Sequence, residues 1–174
     1  MGNHEIHFSR MYVEEYNEYI NSIEKLGVNI LLNEQVEIQN KNKEHINLFG
    51  IDELYNYSGD YTLFGEVIDS LVQNFRIPDD EFNILLAHHP EQLETYSDYS
   101  FDLVFSGHAH GGQVRIFGQG IIAPNQGVFP EYTSGLYEMN GTQLVVSRGI
   151  GNSRFPLRLF NRPHLIITEL KTEK

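Results

Sequence analysis

Four of the eight histidines in this chain fall in three places that are built alike. His4 lies in Gly2-Asn3-His4-Glu5, His88 follows the apolar run Phe82 to Ala87, and His108 and His110 lie in Gly107-His108-Ala109-His110 after the run Asp102 to Ser106. An imidazole set joined by a carboxamide and carboxylates is the ligand chemistry of a borderline divalent ion such as Mn, Fe, Zn or Ni. A strand that ends in a ligand holds it on rigid backbone, and a preceding glycine lets the chain turn sharply so that the ring enters a cleft. His-x-His on an extended segment is expected to send both rings to one side, each toward one of two adjacent ions. In the pair His88-His89, His89 reads as the bystander, and His7, His45 and His164 read as ordinary surface or half-buried residues.

The elements that must position these residues follow from periodicity. Apolar residues at Met11, Val13, Tyr16, Tyr19, Ile20 and Ile23 predict one amphipathic helix over Phe8 to Leu26, stopped by Gly27. Three β-like runs come next, at Val28 to Leu32, Val36 to Ile38 and Ile46 to Gly50. A second helical pattern covers Tyr61 to Phe75. The runs Phe82 to Ala87 and Asp102 to Ser106 are short and continuously apolar, as in central strands that deliver polar residues at their carboxyl ends. The last third is β-rich: Gln113 to Phe117, then Gly135 to Met139 and Thr142 to Ser147 joined by Asn140-Gly141, a strong hairpin signal, and finally His164 to Leu170.

A length of 174 residues fits one domain over residues 1–174 with a sizeable core. With 12 Lys+Arg against 24 Asp+Glu the net charge is −12, which argues against a nucleic-acid binder that neutralises phosphates through a basic face. The absence of cysteine excludes disulfide frameworks, thiolate nucleophiles and iron–sulfur clusters, so a metal must be held by His, Asn, Asp or Glu. No run approaches the roughly 18 apolar residues of a membrane span, and the first residues do not form a signal peptide. As written, the chain reads as cytoplasmic. Asn56-Tyr57-Ser58 and Asn140-Gly141-Thr142 match the glycosylation acceptor pattern, which is common by chance.

In their order, Gly2-Asn3-His4-Glu5, His88 after a strand and Gly107-His108-Ala109-His110 resemble the last three motifs of the calcineurin-like metallophosphoesterase family. Gly111-Gly112-Gln113, and the stretch from Ser147-Arg148-Gly149-Ile150-Gly151 through Pro156-Leu157-Arg158 to Arg162-Pro163, look like its bacterial branch of membrane-associated or exported phosphoesterases. The family's first two motifs, Asp-x-His and Gly-Asp-x-x-Asp, do not occur; Gly59-Asp60 is followed by Leu63 where the second Asp belongs. The resemblance therefore implies the C-terminal half of an α/β sandwich with mixed sheets flanked by helices. Membrane association or export is compatible with a missing N-terminal part.

Position by position, the resemblance implies that Asn3, His88 and His108 bind one divalent ion and that His110 belongs to the other. It also implies that His4 contacts the phosphoryl group or protonates the leaving oxygen of a phosphomonoester or phosphodiester substrate, in a dinuclear reaction. Arg148, Arg154, Arg158 and Arg162 either offer planar forks to phosphate or simply solvate the tail. The alternative is a non-catalytic remnant that binds a metal weakly and turns nothing over. Strands buried on both faces would leave an uncovered surface in a half domain, and the expected consequence is self-association.

Overall fold

Four strands lie parallel at the centre of the chain, and each runs toward the same edge of one six-stranded sheet. They belong to a computed structural model that describes residues 1–41, 43–54, 60–153 and 157–171. Helices α1 (Asn3–Met11) and α2 (Val13–Lys25) come first. Strands β1 (Glu34–Gln39) and β2 (His45–Gly50) follow, then a 3-10 turn at Tyr61–Leu63 that runs into α3 (Phe64–Val72), and β3 (Asn83–Leu86). After β3 come the short α4 (Leu93–Tyr96) and β4 (Leu103–Ser106). Two small ribbons pair β5 (Arg115–Ile116) with β6 (Gln119–Gly120) and β7 (Ile122–Ala123) with β8 (Gly127–Val128). The hairpin β9 (Gly135–Met139) and β10 (Thr142–Val146) completes the sheet.

The sheet order is β1-β2-β3-β4-β10-β9, with β2, β3, β4 and β10 parallel and the two outer strands antiparallel. This is a mixed α/β architecture with a multistranded sheet flanked by helices, as the resemblance implied. One face of the sheet presents Phe49, Leu85, Val104 and Leu144, all fully buried, to Phe64, Ile68 and Val72 of α3. Each such side chain contributes about 1.5–3 kcal/mol by leaving water. That packing fixes the strands, and the strand ends carry the histidines. On the other face Leu86 remains 38% exposed.

Several sequence expectations hold. Tyr61 to Phe75 is helical over most of its length, both central strands form, and Asn140 and Gly141 turn the hairpin with φ of 52° and 90°, as a two-residue turn requires. Others do not. The single helix over Phe8 to Leu26 is two helices, because Tyr12 leaves helical geometry (φ −139°, ψ 70°), which gathers Tyr12, Tyr16 and Tyr19 around the Phe8 ring. Val28 to Leu32 and His164 to Leu170 are irregular. Among the described residues no strand pairs with them, and Leu165 and Ile167 stay 80% and 89% exposed. Gln113 to Phe117 keeps only the two residues of β5. Asn56-Tyr57-Ser58, Gly59, Arg154 and Pro156 lie outside the described residues.

Candidate metal centre

The Gly-Asn-His-Glu motif forms the first turn of a helix. Gly2 caps α1, and Glu5, three residues on, accepts a hydrogen bond from the Gly2 N–H at 3.0 Å. Asn3 thereby stands at the first helical position, where its side chain reaches His88: Asn3 Oδ1 lies 3.0 Å from His88 Nε2. A Cβ on Gly2 would come within 2.7 Å of the His88 ring, so only glycine lets α1 approach this closely.

Strand register brings His88 and His108 side by side. Leu86 pairs with Phe105 across β3 and β4, and just beyond the strands the Gly107 N–H donates to the His88 carbonyl. The two rings stand 4.8 Å apart, centroid to centroid. The same reasoning on the other side of β3 explains a contact the sequence did not disclose. Gly50 pairs with Leu86, and three residues further along each chain stand Glu53 and His89. Glu53 Oε1 accepts from His89 Nε2 at 2.7 Å, and Glu91 Oε1 accepts from His89 Nδ1 at 2.9 Å. His89, read from sequence as a bystander, is thus buried between two carboxylates. Site residues at the carboxyl ends of parallel strands are the usual arrangement in open α/β sheets.

The Gly-His-Ala-His segment is not extended. His108 and His110 have φ of 58° and 47°, and Gly111, Gly112 and Gln113 are also positive, so the chain coils through a tight turn. Asn161 holds that turn by donating to the carbonyls of His110, at 2.6 Å, and Gln113, at 3.2 Å. Coiling sends the two rings to different neighbours, which corrects the expectation of an extended His-x-His. His108 packs on His88 and His89, whereas His110 meets His4 with centroids 5.9 Å apart. Asn3, His4, His108 and His110 line one cavity of about 410 Å³ together with Tyr61, Gln113, Ile122, Ala123, Pro124 and Ser153. His88 stands behind it, touching Asn3 and His108.

The electrostatics divide the rings. Burial holds the His108 imidazole down to about 4, and burial together with the nearby His108 and His89 rings keeps His88 well below its ordinary value, so both are neutral lone-pair donors at neutral pH. Burial opposes charge on His89 too, but the hydrogen bonds it donates to Glu53 and Glu91 outweigh it and hold that ring up at about 9. His110 is lowered by burial, then by Arg158 and His4. Arg158 donates to the backbone carbonyls of Arg148, Gly149 and Gly151 and so braces the loop beside His110.

Among the described residues, His108 Nδ1 is buried without a hydrogen-bond partner, while its Nε2 lies 3.2 Å from Asn125 Nδ2. A second grouping shares His108: ligand atoms of His89, Glu91 and His108 lie within 4.8 Å of one another. In it, both ring nitrogens of His89 already face carboxylate oxygens. Sequence reasoning missed Glu53, Glu91 and Asn125. For Asn125 the available signal was Pro124-Asn125, a dipeptide of the kind that marks a turn.

Residues 1–112 match the family model for calcineurin-like phosphoesterases, and the chain belongs to that family. Among curated relatives, it is 40% identical over 98 residues to the uncharacterized metallophosphoesterase YkuE of Bacillus subtilis, covering 56% of this chain and 34% of that one. It is 29% identical over 171 residues to the phosphodiesterase YaeI of Escherichia coli, covering 97% and 56%. It is 34% identical over 91 residues to the UDP-2,3-diacylglucosamine pyrophosphatase LpxG of Chlamydia muridarum, covering 48% and 27%. The chain spans roughly a third to three-fifths of the length of the first relatives it matches. No solved structure matches it. Among the described residues, no helix is long and apolar enough to cross a membrane.

Proposed function

We propose that this chain carries part of a dinuclear, metal-dependent phosphoester hydrolase and acts on a phosphodiester or phosphomonoester. The supporting observation is that Asn3 Oδ1 lies 3.0 Å from His88 Nε2, that the His88 and His108 rings stand 4.8 Å apart, and that the Nδ1 of His108 is buried and unpartnered: three neutral donor residues held by a helix N-terminus and two strand ends. A carboxamide oxygen with two imidazoles suits a divalent ion of the Mn, Fe, Zn or Ni type. When bound, such an ion supplies Lewis-acid polarisation of a phosphoryl oxygen and a more acidic water.

The chain's own residues then divide the work. Asn3, His88 and His108 fix one ion, and His110 turns toward the second position across the cavity from His4. His4, exposed at the rim, meets the phosphoryl group or gives a proton to the leaving oxygen. The ligands that would complete the second position, including a bridging carboxylate, are not among these motifs. We read the 174 residues as the C-terminal half of the catalytic domain, in the branch that includes membrane-associated or exported enzymes. The names of the YaeI and LpxG relatives favour phosphodiester or pyrophosphate substrates.

The test joins a segment carrying Asp-x-His and Gly-Asp-x-x-Asp upstream of Gly2 and measures Mn-dependent hydrolysis of aryl phosphates and phosphodiesters. Activity that disappears in His108→Ala supports the reading. Equal activity from the 174 residues alone contradicts the half-site account, and silence across a broad panel of phosphoesters favours the metal-binding remnant.

A further inference from the structure

Resting on that reading of His108 as a ligand, we propose that Asn125, itself exposed, is a positioning residue that reserves one nitrogen of His108 for the ion and anchors the ring to a ladder of polar groups that ends on the buried His89 and Glu53. The ladder runs Glu53, His89, Glu91, Asn125, His108. His89 donates from Nε2 to Glu53 and from Nδ1 to Glu91, at 2.7 and 2.9 Å. The Asn125 amide lies 2.9 Å from the same Glu91 oxygen and 3.2 Å from His108 Nε2. One NH₂ group thus has two acceptors, one for each hydrogen.

Two consequences follow from counting donors. With Asn125 on Nε2, Nδ1 is the ring nitrogen of His108 left for an ion. In the ion-free chain the neutral ring carries its hydrogen on Nδ1, because Nε2 is accepting. Loading an ion at Nδ1 moves that hydrogen to Nε2, and the carboxamide must then turn its oxygen there and give up its bond to Glu91. Asparagine suits this reversal because its side chain presents a donor and an acceptor of nearly equal size; aspartate and leucine lack one or both. The backbone at Asn125, with φ of 61°, is also a conformation that asparagine tolerates better than most residues.

The variants follow from that backbone. Asn125→Gly keeps the left-handed turn and deletes the amide, and Asn125→Asp keeps the shape and removes the donor hydrogens. Zn²⁺ affinity is measured by titration calorimetry on the 174-residue chain, and the ring tautomers by ¹⁵N NMR of labelled histidine. In the parent, His108 is expected to show the Nδ1–H form without metal and Nδ1 ligation with hydrogen on Nε2 when loaded. Asn125→Gly should weaken Zn²⁺ binding about 10–100-fold, as loss of a ligand's outer partner does, and should leave the ion-free His108 as a mixture of tautomers. Asn125→Asp should favour Nε2–H before any metal is added.

Parent-like affinity and a single tautomer in Asn125→Gly overturn the proposal while leaving the metal reading intact, provided that His108→Ala loses the ion. Parent-like binding in His108→Ala overturns the reading itself. An ion lost in His89→Gln but retained in Asn3→Ala assigns the metal to the His89, Glu91 and His108 grouping and overturns both.

Discussion

Two sides of one cluster meet along the His108 to His110 turn, and they differ in how tightly their side chains are buried and held. On the His108 side, the rings of His88, His89 and His108 stand with centroids 4.3–5.4 Å apart, Glu53 and Glu91 bond His89, and His108 is 4% exposed. On the other side, exposed His4 faces half-buried His110 across 5.9 Å, with no hydrogen bond between their rings among the described residues. The first side is preorganised by its own fold. The second offers two rings and a cavity, and what it can hold depends on what else is brought to it. A ligand whose outer partners are already in place loses less freedom on binding.

The largest expected effect tests that asymmetry directly. In the 174-residue chain, Asn3→Ala, His88→Ala and His108→Ala should each reduce divalent-ion affinity by more than the roughly 10–100-fold typical of an outer-partner loss, whereas His110→Ala should change it only a few-fold. Calorimetry that finds two tightly held ions per chain would break the comparison. In the joined, active protein, His4→Ala should lower turnover by about 100-fold or more with ion affinity unchanged, since proton transfer by a positioned group contributes that much. Loss of the ion in that variant would move His4 to the other class.

Stability against pH sharpens the comparison further, with a smaller effect. His108, lowered to about 4, and His88, lowered well below its ordinary value, are neutral when folded, so the unfolded chain binds more protons below the ordinary histidine value of about 6.5 and stability falls on acidification. His89, raised to about 9, stays protonated when folded. Its contribution is complete below about 6.5 and is lost as pH rises toward 9. The ion-free melting temperature should therefore peak near pH 6.5. His89→Gln should flatten the alkaline limb and leave the acid limb; an unchanged alkaline limb would show that His89 is not held charged. The smallest effect is remote from both sides: Asn140→Ala, at φ 52°, should cost about 1 kcal/mol in denaturant unfolding with no change in ion affinity.

How far the sequence disclosed this arrangement depends on the kind of signal. His88 and His108 were legible because each ends a short apolar run, and parallel pairing of two such runs brings their carboxyl ends together. Asn3 was legible through its motif and not through periodicity. The break at Tyr12 was hidden because apolar spacing continues across it. The polar neighbours of His89 were hidden for a different reason: Glu53, Glu91 and Asn125 look like surface residues in one dimension, and only the register of β2 against β3 sets the buried Glu53 carboxylate against the ring. The segment His164 to Leu170 has the alternation of a strand but is not part of any strand, and alternation alone does not make one.

The contact between Asn3 and His88 spans 85 residues of chain. Closing a flexible loop of that length costs about 4 kcal/mol in chain entropy, and parallel pairing of β2, β3, β4 and β10 adds further long closures before any of them is rewarded. Such contacts form late in refolding, after local helices and the β9–β10 hairpin. A divalent ion that prefers the finished cluster would therefore act mainly on the unfolding rate, lengthening the lifetime of the folded chain while leaving the speed of its formation almost unchanged.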